Sequence, residues 1–95
     1  MPPAVIDDDT LITRNAGFLT GLVHDETVMM DLESGRCFGL DDIGTVIWQR
    51  LETPRKFAEL VDSLVAEFDA ERAVIAADVS RLLTNMAEHE VVGLT

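Results

Sequence analysis

The chain has 95 residues, 47% of them hydrophobic, and its 18 Asp and Glu stand against 7 Lys and Arg for a formal charge of −11. That length makes one domain, 1–95, with a single small core, and the hydrophobic content is not that of a disordered chain. So acidic a chain repels nucleic acid and anionic membrane surfaces, whose capture depends on Lys and Arg meeting phosphates, and no local basic patch offsets it.

The start, Met1-Pro2-Pro3-Ala4-Val5-Ile6-Asp7-Asp8-Asp9, has neither the positive segment nor the apolar run of a secretory signal, and residues 1–10 are expected to be flexible. No stretch approaches the roughly 20 apolar residues that span a bilayer. Cys37 is the single cysteine, so no intrachain disulfide forms and a thiolate zinc site has no partners. These features predict a cytoplasmic protein.

Residues 11–14 are a candidate strand. Three apolar segments follow, 18–23, 27–32 and 36–40, joined by His24-Asp25-Glu26 and Glu33-Ser34-Gly35. Short apolar runs with turn-length polar connections predict an antiparallel meander, Gly35 supplying a positive φ for the hairpin. Asp41 or Asp42 caps a first helix whose face carries Ile43, Ile47 and Leu51, flanked by Val46 and Trp48. Thr53-Pro54 predicts the start of a second helix, because proline at the first helical position loses nothing by lacking an N–H. Its face is Phe57, Leu60, Val61, Leu64 and Phe68. Asp69 is expected to cap a third helix that runs to about Glu88 with Ile75, Val79, Leu82, Leu83 and Met86 on its apolar face, before 91–94 folds back. The fold class is α+β, a three-stranded antiparallel sheet followed by three helices, winged-helix-like.

No residue pattern supports catalysis. His24 falls in a turn and His89 near a helix end, without metal-ligand spacing, and both read as exposed polar residues. Cys37 lacks a base to hold it as thiolate and reads as a structural cysteine in a strand. Asp7-Asp8-Asp9 and Asp41-Asp42 read as a solvated run and a helix cap, and no glycine-rich phosphate loop occurs. No enzyme, metal or cofactor is expected.

Strand 36–40 ends the meander and is expected at the sheet edge, where unpaired N–H and C=O groups could accept an extended peptide as an added strand. Alternatively, residues 10–14 or a second copy of the chain cover that edge. The pattern Glu33-Ser34-Gly35-Arg36-Cys37-Phe38-Gly39-Leu40-Asp41-Asp42-Ile43-Gly44, with Trp48, Phe57, Phe68, Asp78-Val79, Leu82-Leu83 and Gly93-Leu94, resembles the PqqD-type family. These are the peptide recognition elements of ribosomally made, post-translationally modified peptides. Within the family, the chain is most similar to the free-standing B1 proteins of lasso-peptide pathways. The diagnostic portion is a strand ending aromatic-x-Leu-Asn, then x-x-Gly-x-x-x-Trp. Asp41 replaces the usual Asn, and Cys37-Phe38 a more typical aromatic pair.

The resemblance implies a non-catalytic protein that captures the leader of a precursor peptide and delivers it to a modifying enzyme. In lasso pathways that enzyme is a cysteine leader peptidase, which acts before a cyclase closes the ring. It implies that the leader lies along Arg36, Cys37, Phe38, Gly39 and Leu40 and packs against the third helix. With Ile75, Val79, Leu82 and Met86 turned to the core at about 100° per residue, Val74, Asp78, Arg81 and Asn85 form one flank and Ala76, Ser80, Leu83 and Ala87 the other. The first flank, having an apolar floor and charge, is expected to line the groove, with Val74 and Leu82 as apolar anchors and Asp78 and Arg81 fixing register. Otherwise Asp78 and Arg81 form an ordinary solvated face. Two other functions fit the fold class: a winged-helix DNA binder, disfavoured because residues 57–68 hold no Lys or Arg and the third helix only Arg72 and Arg81, and a self-associating subunit.

Overall fold

The computed structural model describes residues 6–95 and begins with a turn at Asp7–Thr10, where the Thr10 amide donates to the Asp7 carbonyl at 3.1 Å. Residues 1–5 of the segment expected to be flexible lie outside the described residues. The turn leads into β1 (Leu11–Arg14), then β2 (Phe18–Val23), β3 (Glu26–Asp31) and β4 (Cys37–Leu40). Strands β2, β3 and β4 form an antiparallel sheet in that spatial order. His24 and Asp25 alone make the first hairpin loop, with φ of 51° and 68°, so pairing starts at Val23 and Glu26, one residue earlier than the expected 27. Positive φ at both loop residues matches the right-handed twist of the strands. The second hairpin turns on Asp31, whose carboxylate accepts the amides of Glu33 at 2.9 Å and Ser34 at 3.4 Å, and on Gly35 at φ +76°.

Helix α1 (Asp42–Arg50) starts as expected at Asp41, whose carboxylate accepts the Gly44 amide at 2.8 Å. A Cβ at Gly44 would lie 3.1 Å from the Leu40 Cβ, so glycine lets the first turn of α1 settle onto the end of β4. Ile47, Trp48 and Leu51 enter the core, whereas Ile43, expected on the same face, is 48% exposed. Gly44 and Thr45 of the same turn are the buried ones, and Ile43 faces a hollow beside Asp78 and Leu82 instead.

Two expected helix starts are corrected. Thr53-Pro54 does not begin the second helix. Arg55–Lys56 is instead a short strand, β5, paired with Leu11 and Ile12, and α2 (Phe57–Glu67) follows it. The amides of Phe57 and Ala58 donate to the carbonyls of Thr10 and Asp8, so nonlocal pairing takes up a backbone that the local signal assigns to a helix. Asp69 does not cap α3 (Arg72–Glu88). The Ala70 amide closes a turn on the Phe68 carbonyl, and Glu71 becomes the N-cap residue.

Helix α3 ends where expected. Glu90, at φ 60°, donates to the Ala87 carbonyl and Val91 to that of Met86, which satisfies the last carbonyls of the helix. The chain then returns as β6 (Val92–Leu94), giving a second sheet in the order β5-β1-β6. Segment 11–14 is therefore the centre of that sheet and does not cover β4. Ile12, Met29, Ile47, Leu51, Leu60, Leu64 and Leu83 are fully buried between the sheets and helices. Each such side chain contributes about 1.5–3 kcal/mol by leaving water.

Candidate functional site

Strand β4 is an edge of its sheet, and its outward chemistry follows from register. Asp31 N donates to Arg36 O at 2.8 Å, so this pair is hydrogen-bonded, and pairs alternate from there. Phe38 and Leu40 therefore bond back to β3, while the N–H and C=O groups of Cys37 and Gly39 point away from the sheet. At the end of the ladder Thr27 N donates to the Thr45 hydroxyl at 2.9 Å, and that hydroxyl donates to Leu40 O at 3.3 Å. Thr45 of α1 thus enters the last rung and fixes the buried end of β4 to the helix.

The side chains of Phe38 and Leu40 turn inward, half-buried and buried, whereas the Cys37 side chain turns out and is exposed, as is Gly39. Across from the inward pair lies α3, which packs on α2 and β6 rather than closing onto β4. The gap is a groove of three hollows. The central one, about 150 Å³, is walled by Phe38, Gly39, Leu40, Leu82, Asn85, Met86 and His89, with Met29 and Val91 beneath. It shares Leu82 and Asn85 with a hollow of about 450 Å³ that adds Asp41, Ile43, Asp78 and Arg81. It shares Phe38 and His89 with another of about 300 Å³ that reaches Arg36, Glu88 and the Asp31–Ser34 turn. The groove therefore has an apolar middle and charged ends. Arg81 lies 3.5 Å from Asp78 in an exposed pair, and Asp31 is held below the usual carboxylate range chiefly by the Glu33 amide.

Of the residues expected to form the site, Arg36, Phe38, Gly39, Leu40, Asp78, Arg81, Leu82 and Asn85 all line this groove. Cys37 borders it through its backbone, its side chain lying on the outer sheet face and not packed as a structural cysteine. Val74 is 53% exposed and lines none of the three hollows. The opposite flank of α3 is packed: Leu83 is fully buried, and Ala76 and Ala87 pack against the core. Sequence reasoning missed His89, Met86, Met29 and Ile43. His89 is exposed, as expected, but its ring meets Phe38 edge-on with centroids 5.0 Å apart, and its Nδ1 lies 2.9 Å from Asn85 O. Its i+4 spacing from Asn85 was the available signal.

Trp48, the last residue of the diagnostic pattern, is not in the groove. It is 7% exposed, and Arg14 of β1 lies over its ring at 4.2 Å while donating from Nε to its carbonyl at 3.1 Å. Partial burial lowers the Arg14 pKa, and the nearby Glu52 opposes that shift. The pattern thus combines one position that shapes the site, Gly44, with one that ties α1 to the second sheet. Among the described residues no three His, Cys, Asp or Glu are grouped to hold a metal ion, and no helix is long and apolar enough to cross a membrane.

Comparisons with known proteins agree with this geometry. A PqqA binding protein of Xanthomonas euvesicatoria pv. vesicatoria (strain 85-10) is 37% identical over 71 residues, 75% of each chain. The solved structure of TbiB1 in complex with the TbiA(beta) leader peptide superposes with a TM-score of 0.78 at 30% identity, covering 84% of this chain and 93% of that one. A lasso peptide synthetase B1 complexed with the leader peptide shares the fold, with a TM-score of 0.76 at 23% identity over 86% of this chain and 96% of its own. Residues 26–92, from the start of β3 into β6, match the family described as coenzyme PQQ synthesis protein D (PqqD), and this chain belongs to that family.

Proposed function

We propose that this protein captures the leader segment of a ribosomally made precursor peptide, in a lasso-peptide pathway, as an added strand on β4 in the groove against α3. It then presents the leader to a modifying enzyme, a cysteine leader peptidase, in the cytoplasm, and is itself non-catalytic. The observation that carries this reading is the edge of β4, unpaired among the described residues, whose Cys37 and Gly39 backbone groups point outward beside an apolar hollow. Main-chain bonds to that edge supply affinity, and the hollow around Leu82 and Phe38 supplies a side-chain pocket. The names of the PqqA-binding relatives and of the leader-bound TbiB1 support the same reading. Binding to a duplex has no such support, since α3 carries only two arginines, and Arg72 pairs with Asp62 and Arg81 with Asp78.

Titration calorimetry with the synthetic leader, with and without a chelator, tests the proposal. The expected outcome is saturable binding that the chelator leaves unchanged. Absence of binding to the precursor's leader, or loss of binding on chelation, overturns it.

A further inference from the structure

The face of the β2-β3-β4 sheet turned away from the core is apolar and carries no other element among the described residues. Register sets Leu19, Met30 and Cys37 in one row across it and Gly21, Val28 and Gly39 in the next, with Val23 beyond. Leu19 is 60% exposed and Val23 53%. Glu26 is the one charged residue that the strands place on this face, in a chain of net charge −11. The charges gather at its ends instead, Asp25 and Glu26 in the first hairpin at one, and Glu33 with Arg36 in the second hairpin at the other. An added Cβ at Gly21 meets nothing within 4 Å and its φ is not positive, so the fold does not require glycine there and the middle of the face is lower than Leu19 and Val23. A continuous apolar field with a polar rim is the composition of a protein-binding surface.

We propose that this outer face docks the enzyme that processes the leader, through an apolar ridge bordered by Lys or Arg. Charge decides the occupant. A second copy would add a net −11 to −11, whereas a basic rim is attracted to the acidic first hairpin and to the charge of the whole chain. The inference rests on the leader-capture reading for the identity of the enzyme. It also gives that reading a geometry: a leader paired with Cys37 and Gly39 extends this same sheet, so its outward side chains lie beside the docked enzyme.

The test uses the intact protein, its Leu19→Glu and Gly21→Val variants, and the purified cysteine leader peptidase of its pathway. Sedimentation velocity without leader measures docking, and calorimetry measures leader binding separately. Both positions lie on β2, away from the leader edge, and circular dichroism checks their folding. We expect wild type to bind the peptidase, more weakly as salt rises, and each variant to bind at least tenfold more weakly with leader affinity unchanged. Peptidase binding by both folded variants at the wild-type level overturns the proposal, as does failure of wild type to bind. Self-association of wild type that the variants abolish overturns it in favour of a second copy. If docking behaves as expected but no leader binds, the outer face stands and the leader-capture reading falls.

Discussion

Glu90 is the residue whose local conformation works most against its side chain. It holds φ 60° at the end of α3 so that its own amide and that of Val91 can close on Ala87 and Met86. A left-handed conformation costs a residue with a Cβ about 1 kcal/mol that glycine avoids. Glu90→Gly should therefore stabilise the protein by about 1 kcal/mol, read as a higher urea midpoint with unchanged slope. Asp31 makes the opposite kind of contribution. Amide donation from Glu33, and more weakly Ser34, lowers its native pKa below the unfolded value. Its stabilising effect is then full above the ordinary aspartate range and disappears as pH falls through the lowered native value. Asp31→Asn, whose amide oxygen can still accept from the turn, should flatten the pH dependence of stability in that acid window. Urea midpoints measured from about pH 6 to about pH 2 check this.

Among the elements, β4 and α3 divide the proposed work between backbone and side chain. Cys37 directs its N–H away from the sheet, so Cys37→Pro should leave the fold intact and reduce leader affinity at least tenfold. Phe38 directs its N–H to β3, and Phe38→Pro should instead destabilise the fold by about 1–3 kcal/mol. Calorimetry and urea melts on the pair separate the two roles; equal effects on folding would show that the ladder phase is wrong. On α3, Leu82 is half-buried in the groove and Leu83 is fully buried beneath it. Leu82→Ala should lower leader affinity by about 2 kcal/mol, the scale of a central anchor, whereas Leu83→Ala should lower stability by about 2–5 kcal/mol. Adjacent residues on one helix thus give opposite readouts in the same two measurements.

Over the whole molecule, charge governs approach more than residence. With −11 on 95 residues, the field attracts Lys- or Arg-bearing leaders from a distance, while the apolar middle of the groove resists their release. Raising salt from about 0.01 M to about 0.15 M shortens the screening length from roughly 30 Å to roughly 8 Å. Stopped-flow measurements should therefore show association slowing several-fold for a basic leader, with dissociation nearly constant. An acidic leader should show the reverse trend in association.

The amino-acid sequence by itself determined what is local or summed: the meander with its turn residues, the Asp41 cap, the 3.6-residue face of α2, the end of α3 and the acidity that disfavours a duplex. Such features depend on a side chain's own backbone preferences, on spacing within one element, or on a count of charges. It also marked the two sides of the groove, because 36–40 is the last strand of the meander and the flank of α3 bearing Asp78, Arg81 and Asn85 is its polar one. The tertiary structure decided what depends on residues far apart in the chain. Arg55–Lys56 became a strand because β1 offered its backbone a partner, overriding the signal of the Pro54 immediately before it. Val74 fell outside the groove and His89 within it because the hollows extend along α3 toward its C-terminal end, where Phe38 meets the His89 ring edge-on. Which amides of β4 face outward was likewise decided by pairing with β3, since a strand's side-chain alternation does not reveal the side on which its hydrogen bonds are already used.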